Sequence, residues 1–326
     1  MPVPELRLCL KHFSATECHA LISLVDSLHE PERPTWVLAD ESNADAVVLN
    51  EGADDVAVNY SISSELAWGR PVAQCAVPSA IAITKPDSLE AVQWRESVLR
   101  MLWRLESQLA DAIAWFGLAD KWVAFQDSLD SPNRVWNLEM ENHLIAVVDL
   151  PKKMVGLHPE AIEFTPDFQS ASWVRKPSTA RIPEEFVTQA LPGMLWQFAR
   201  RSRADLLPSR YREGSIFLLE VPALRVMDLS CSELAIITAM ARTKSCNLNA
   251  LSQQLNIEKK ALSRTLAGLF LIGVFGTQEP QSSLFQRLQK WLGGDALEAV
   301  PAKLLHKDFA LPQNGVFPLT DYPGLA

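Results

Sequence analysis

Asp45-Ala46-Val47-Val48-Leu49-Asn50 is a near-continuous apolar run closed by an amide. Its length and lack of alternation suit a short strand buried on both faces. Upstream, Leu6-Arg7-Leu8-Cys9-Leu10 alternates and predicts a strand. Ser14-Ala15-Thr16-Glu17 has the spacing of a capping box, and Leu21, Leu24, Val25 and Leu28 continue it as one helix face. Thr35–Ala39, Val72–Val77 and Ala80–Thr84 are further strand candidates, and a long helical pattern begins after Asp87-Ser88. Strands alternating with helices predict an α/β layer with a largely parallel sheet.

The run Ala80-Ile81-Ala82-Ile83-Thr84-Lys85-Pro86 resembles the last strand and Lys-Pro of two-component receiver domains, and Asp45–Asn50 resembles their phospho-accepting strand. The resemblance implies a receiver-like N-terminal domain whose pocket is degenerate at Asn50 and Lys85. Asn50 replaces the acceptor aspartate, and an amide cannot form an acyl phosphate. Lys11, His12 and Phe13 stand where the family places its magnesium-binding acidic pair. An unrelated small α/β domain is the alternative.

From Ser88 to Gly117 the helical pattern is unbroken. Val98, Leu102, Leu105, Leu109, Ala112 and Phe116 form a heptad-like seam, and Gly117 is the expected stop. The seam packs on the protein's own core or, alternatively, forms a homodimer through residues 98–116. Val135–Met140 and Leu144–Asp149 predict a β-hairpin turning at Asn142-His143. Phe186–Arg203 reads as a helix with Pro192 at a boundary or kink.

Ser230 and Glu233 form a second capping box. Asn247–Leu255, a turn at Asn256-Ile257 and Glu258–Leu271 follow, with Leu262, Leu266, Leu269 and Phe270 inward, and Gly273–Gly276 opens a short hairpin. Residues 228–280 are similar to a winged helix-turn-helix, which implies DNA contact through Lys259, Lys260, Ser263 and Arg264. The expected wing, Gly276–Ser283, holds Glu279 and no Lys or Arg, which counts against DNA.

Arg200, Arg201, Arg203, Arg210 and Arg212 cluster upstream, and arginine forks suit phosphate. With Arg225 and Asp228-Leu229-Ser230 they resemble the Arg motif and Asp-x-Ser signature of PilZ domains, implying a cyclic dinucleotide ligand. Glu233 stands where that pattern requires Gly. The alternative is that these arginines pair with acids of the N-terminal half.

The chain of 326 residues carries net charge −9, acidic over residues 1–112 and basic over 200–290. With 48% hydrophobic residues it can bury a large core, and mean hydropathy is near zero. No apolar run reaches the ~18 residues of a membrane span. Met1–Glu5 lacks a secretory start, and five cysteines form no disulfide framework, so the expected location is the cytoplasm. Cys9, His12, Cys18 and His19 lie close in sequence, but on a strand and a helix that do not converge as metal ligands do. Nucleotide-loop, zinc-protease and hydrolase motifs are absent, so no catalytic residues, metal or cofactor are expected.

The expected fold is mixed α/β: a receiver-like α/β domain (1–117), a small α+β middle module (118–227), a helical winged-helix module (228–300) and an extended tail (301–326). The expected function is a non-enzymatic regulatory or adaptor protein of a bacterial-type signalling system, acting on a protein partner. DNA-binding transcription regulation and cyclic dinucleotide reception are the alternatives.

Overall fold

The alternation of the first strand sorts its side chains onto two different environments. The computed structural model describes residues 3–28, 30, 33–41, 44–50, 71–75, 77, 89–126, 134–141, 143–164, 168, 170–242, 246–277 and 291. Strands β1 (Glu5–Lys11), β2 (Thr35–Leu38), β3 (Ala46–Asn50) and β4 (Val72–Cys75) form a parallel sheet in the order β2-β1-β3-β4. Leu6 and Leu8 of β1, with Ala46 and Val48 of β3, join a core with Leu21 of α1 (Ala15–Ser27) and Val98, Leu102 and Leu105 of α2 (Leu89–Gln108). Period two then sends Glu5, Arg7 and Cys9 to the other face. Ser14 and Glu17 make the reciprocal cap of α1, at 3.3 and 2.7 Å.

The long helical pattern departs from expectation. Helix α2 gives way at Leu109 to α3 (Ala110–Gln126), nine residues past the expected stop at Gly117. The hydrogen-bond ladder crosses the junction, from Leu109 N–H to the Leu105 carbonyl and from Ile113 N–H to the Leu109 carbonyl. Gly117 lies inside α3, where a Cβ would sit 2.8 Å from the Phe168 ring. It answers a close approach, not a helix end. The seam serves the chain itself: Val98, Leu102, Leu105 and Leu109 are buried in the N-terminal core and Phe116 in the next. Among the described residues these seam positions therefore pack on the chain's own core, while Trp103 on a neighbouring face is exposed.

A second, antiparallel sheet has the order β8-β5-β6-β7-β9, built from β5 (Val135–Met140), β6 (His143–Asp149), β7 (Met154–Leu157), β8 (Ser172–Lys176) and β9 (Val187–Ala190). Met140 pairs with His143, which moves the hairpin turn one residue upstream, and Glu141 takes φ 50° there. Residues 187–190 pair with β7 and are not helical; α5 (Leu191–Arg201) begins after them. Pro192 lies in its first turn, where a missing N–H costs no hydrogen bond. Helix α4 (Pro159–Phe164) follows β7. Trp115, Phe116, Trp122, Trp136, Leu157 and Phe198 fill the core between this sheet and its helices.

The C-terminal core gathers around α7 (Cys231–Arg242), α8 (Leu248–Leu255) and α9 (Lys259–Leu271). Asn247 caps α8 on Ala250 N–H at 2.8 Å, and Asn256 makes the turn at φ 51°. Leu207, Tyr211, Ile216 and Leu218 share this core, so the segment with the short helix α6 (Arg210–Glu213) packs with the three helices. Strand β11 (Phe275–Gly276) pairs antiparallel with the upstream β10 (Phe217–Leu218), and the far arm of the expected hairpin lies outside the described residues. Trp291 donates its indole N–H to the Leu224 carbonyl at 3.1 Å. The expected strand 80–84, Lys85, wing residues 278–283 and the tail 301–326 lie outside the described residues. No helix among the described residues is long and apolar enough to cross a membrane.

Helices α5 and α9 meet at Gly268, where a Cβ would lie 2.6 Å from the buried Trp196 ring. Gly268→Ala should therefore destabilise the protein by about 1–3 kcal/mol through overpacking, despite alanine's better helix propensity. Urea unfolding checks it; an unchanged or raised midpoint contradicts the close approach.

Candidate functional site

The charged face of β1 meets the C-terminal half of the chain. Arg7 N–H donates to Asp45 Oδ2 at 2.9 Å, and the Arg7 guanidinium donates to the Arg200 carbonyl at 2.8 Å. Arg201 pairs with Asp45 Oδ1 at 2.6 Å. Arg200 faces Glu233 Oε1 at 3.3 Å and donates to the Asp228 carbonyl at 3.4 Å. Arg264 of α9 forks onto Glu5, at 2.7 and 2.8 Å.

Local structure explains how these groups arrive. Arg200 and Arg201 occupy the last turn of α5, where a cation suits the helix dipole. Glu233 is the third residue of its capping box; its Oε2 accepts from Ser230 N–H at 2.7 Å while Oε1 faces Arg200. Side-chain exposures of 17% for Arg201 and 11% for Asp45 put the pair largely out of water. Burial, and next the nearby Arg200, lower the Arg7 pKa to about 10, with Asp45 opposing the shift. Arg7 remains protonated at neutral pH.

The arginine cluster does not converge on one site. Arg200 and Arg201 belong to this junction; Arg201 meets an acid of the N-terminal sheet, while Arg200 meets Glu233 of α7. Arg210 lies over the Tyr211 ring at 4.9 Å and over Phe270 at 5.8 Å. Arg212 pairs with Asp205 and donates to the Leu207 carbonyl at 3.2 Å. Arg225 forks onto Asp228 at 2.8 and 2.9 Å. Arg203 is exposed.

The four residues expected to face DNA also divide. Lys259 and Lys260 are exposed at the start of α9. Ser263 is buried and donates to Asp205 Oδ1 at 3.3 Å, and Arg264 is held by Glu5. One turn along, the helix surface has rotated from solvent onto the end of α5 and β1. The two sets meet in a cleft of about 270 Å³, where Arg203 lies opposite α9 residues Lys260, Ser263 and Arg264. The alternative reading, arginines paired with acids of the N-terminal half, holds for Arg201 on Asp45; the sequence named neither the cleft nor Glu5, Arg7 and Asp45 as the particular partners. The one local signal was that Glu5 and Arg7 occupy alternate positions of a strand with apolar neighbours.

Asn50 ends β3. Its Nδ2 donates to the His12 carbonyl at 3.2 Å and to Glu17 Oε1 at 3.3 Å, and His12 takes φ 65°. The Ser14 N–H and hydroxyl, with help from Asn50, hold the Glu17 carboxyl below its ordinary value. Lys85 lies outside the described residues. Among the described residues no three His, Cys, Asp or Glu side chains converge as a metal site.

Asp45→Asn should cost about 3 kcal/mol, because Arg7 and Arg201 lose their carboxylate in a dry setting. The double variant Asp45→Leu/Arg201→Met should be less destabilised than additivity of its singles requires; additive losses in urea unfolding contradict the coupling. Asn50→Asp should set a second carboxylate against Glu17 and cost about 1 kcal/mol at pH 7. Mutual repulsion raises the folded pKa values, so the deficit should shrink as pH falls below the carboxylate range and grow as pH rises through it. A deficit that is constant with pH contradicts this placement.

No protein-family model, curated protein or solved structure matches this chain.

Proposed function

We propose that this protein is a non-enzymatic regulatory or adaptor protein of a signalling system, with a receiver-like N-terminal module that cannot be phosphorylated and that works through contacts with a protein partner. The observation that carries the reading is Asn50 at the carboxyl end of β3 in a parallel sheet of order β2-β1-β3-β4. In doubly wound sheets of this order, ligands and chemistry sit at that edge, between the first and third strands. Here the edge holds an amide donating to a backbone carbonyl and to Glu17. An amide nitrogen offers no carboxylate oxygen to attack a phosphoryl group.

The ion network supports the same reading, since it ties the reverse sheet face to α5 and α9, and through Arg200 to α7. An N-terminal module joined in this way can pass the effect of a bound partner to the rest of the chain. DNA binding has less support, because two of its four expected contacts are engaged inside the protein and phosphate neutralisation drives that affinity. A cyclic dinucleotide site built on the arginine cluster has less support for the same reason, since four of its five members have protein partners.

Incubation with acetyl phosphate, followed by phosphate-affinity electrophoresis, should show no adduct. Light scattering of the protein purified from its native host should show a defined complex with a second polypeptide and no nucleic-acid absorbance. An acid-labile aspartyl phosphate overturns the reading. So does co-purifying nucleic acid that is lost on Lys259→Ala/Lys260→Ala.

A further inference from the structure

We propose that the cleft between the end of α5 and the first turns of α9 binds a small phosphate monoester, and that this ligand competes with Glu5 for Arg264. The inference deepens the regulatory reading above by naming a chemical input for it.

The cleft holds about 270 Å³ and is lined by Arg203 from one side and by Lys260 and Arg264 from the other. Arg203 and Lys260 have no ion-pair partner among the described residues. Two cations facing one space, unpaired among the described residues, suit a dianion, and arginine's fork suits tetrahedral phosphate oxygens. Asp205 also lines the cleft, but Arg212 offsets its charge; the Asp205 carboxyl lies below its ordinary pKa and remains ionised. The Ser263 hydroxyl proton is directed to Asp205, so the affinity does not depend on it. Ala199, Leu206 and Ala267 add an apolar wall for the organic part of the ligand. The volume suits one ring or a short chain, which favours a small molecule over a polymer backbone.

Arg264 gives the site a consequence beyond occupancy. It lines the cleft while both of its terminal nitrogens are on Glu5 of β1. A dianion beside it competes with the Glu5 carboxylate for the same guanidinium. Binding therefore loosens the hold of α9 on the N-terminal sheet, and by linkage that hold weakens binding by the same factor.

Titration calorimetry with phenyl phosphate at pH 8, using the full chain, tests this. Saturable one-to-one binding is expected, with inorganic phosphate weaker and benzoate weaker still. Arg203→Ala and Lys260→Ala should each weaken phenyl phosphate by about tenfold, the worth of one charge-assisted hydrogen bond. Both side chains are exposed, so circular dichroism should be unchanged. Glu5→Gln should tighten binding. No saturable binding by the wild type, or binding indifferent to both substitutions, overturns the site. Glu5→Gln affinity equal to wild type overturns the competition. Binding that behaves as expected in a protein with no polypeptide partner counts against the adaptor reading alone; a partner captured without phenyl phosphate binding counts against this site alone.

Discussion

A single carboxylate, Asp45, receives the backbone N–H of Arg7 and the guanidinium of Arg201. This contact joins the first strand of the chain to the last turn of a helix nearly two hundred residues away. Its stabilisation is conditional. Removing two charges from water is expensive, and mutual attraction repays the cost only when geometry and further hydrogen bonds are good. The surroundings provide part of this: Arg7 also donates to the Arg200 carbonyl, Arg200 faces Glu233, and Arg264 forks onto Glu5 nearby, while Arg201 Nε is buried without a hydrogen bond among the described residues. The depressed pKa of Arg7 shows that burial, and next the neighbouring Arg200, outweigh the attraction of Asp45 at that position. Such a cluster is a weak source of net stability and a strong source of register, since any shifted docking leaves a charge buried alone.

Helix α5 is the element on which this geometry turns. Met194, Leu195 and Phe198 face the antiparallel sheet, Trp196 enters the C-terminal core, and Arg200 and Arg201 close the junction with β1. Helix α9 has a related double role, with Leu262, Leu266 and Leu269 in one core and Leu271 in the next. The helical rod from α2 into α3 likewise begins in the N-terminal core and ends beside the second sheet.

Local features were legible in the sequence where their causes are local. Both capping boxes, the alternating strands β1 and β5, and the α8–α9 turn at Asn256 depend on residues within a few positions. Gly117 misled because a glycine that admits a neighbouring ring looks in sequence like a glycine that ends a helix; Phe168 supplies the distinction. Residues 187–190 misled because a short segment carries too little periodicity to separate strand from helix, and only pairing with β7 decides it. The parallel character of the first sheet was implied by the alternation of elements, but its strand order was not, and the partner of β11 lies almost sixty residues upstream. The destinations of Arg200, Arg201, Arg210 and Arg212 were the least legible, because each depends on an acid or ring brought to it by packing.

The position of Trp196 has a consequence for how the chain can be dissected. Cutting after α5 would leave that indole, now almost fully covered, without the glycine-lined seat on α9 that receives it. Cutting before α5 would deprive the antiparallel sheet of its own cover. No break on either side of this helix yields two halves with intact interiors, so fragments chosen from the visible succession of sheets and helices would each inherit an open wound. The covalent order suggests beads on a string, while the physical units interlock.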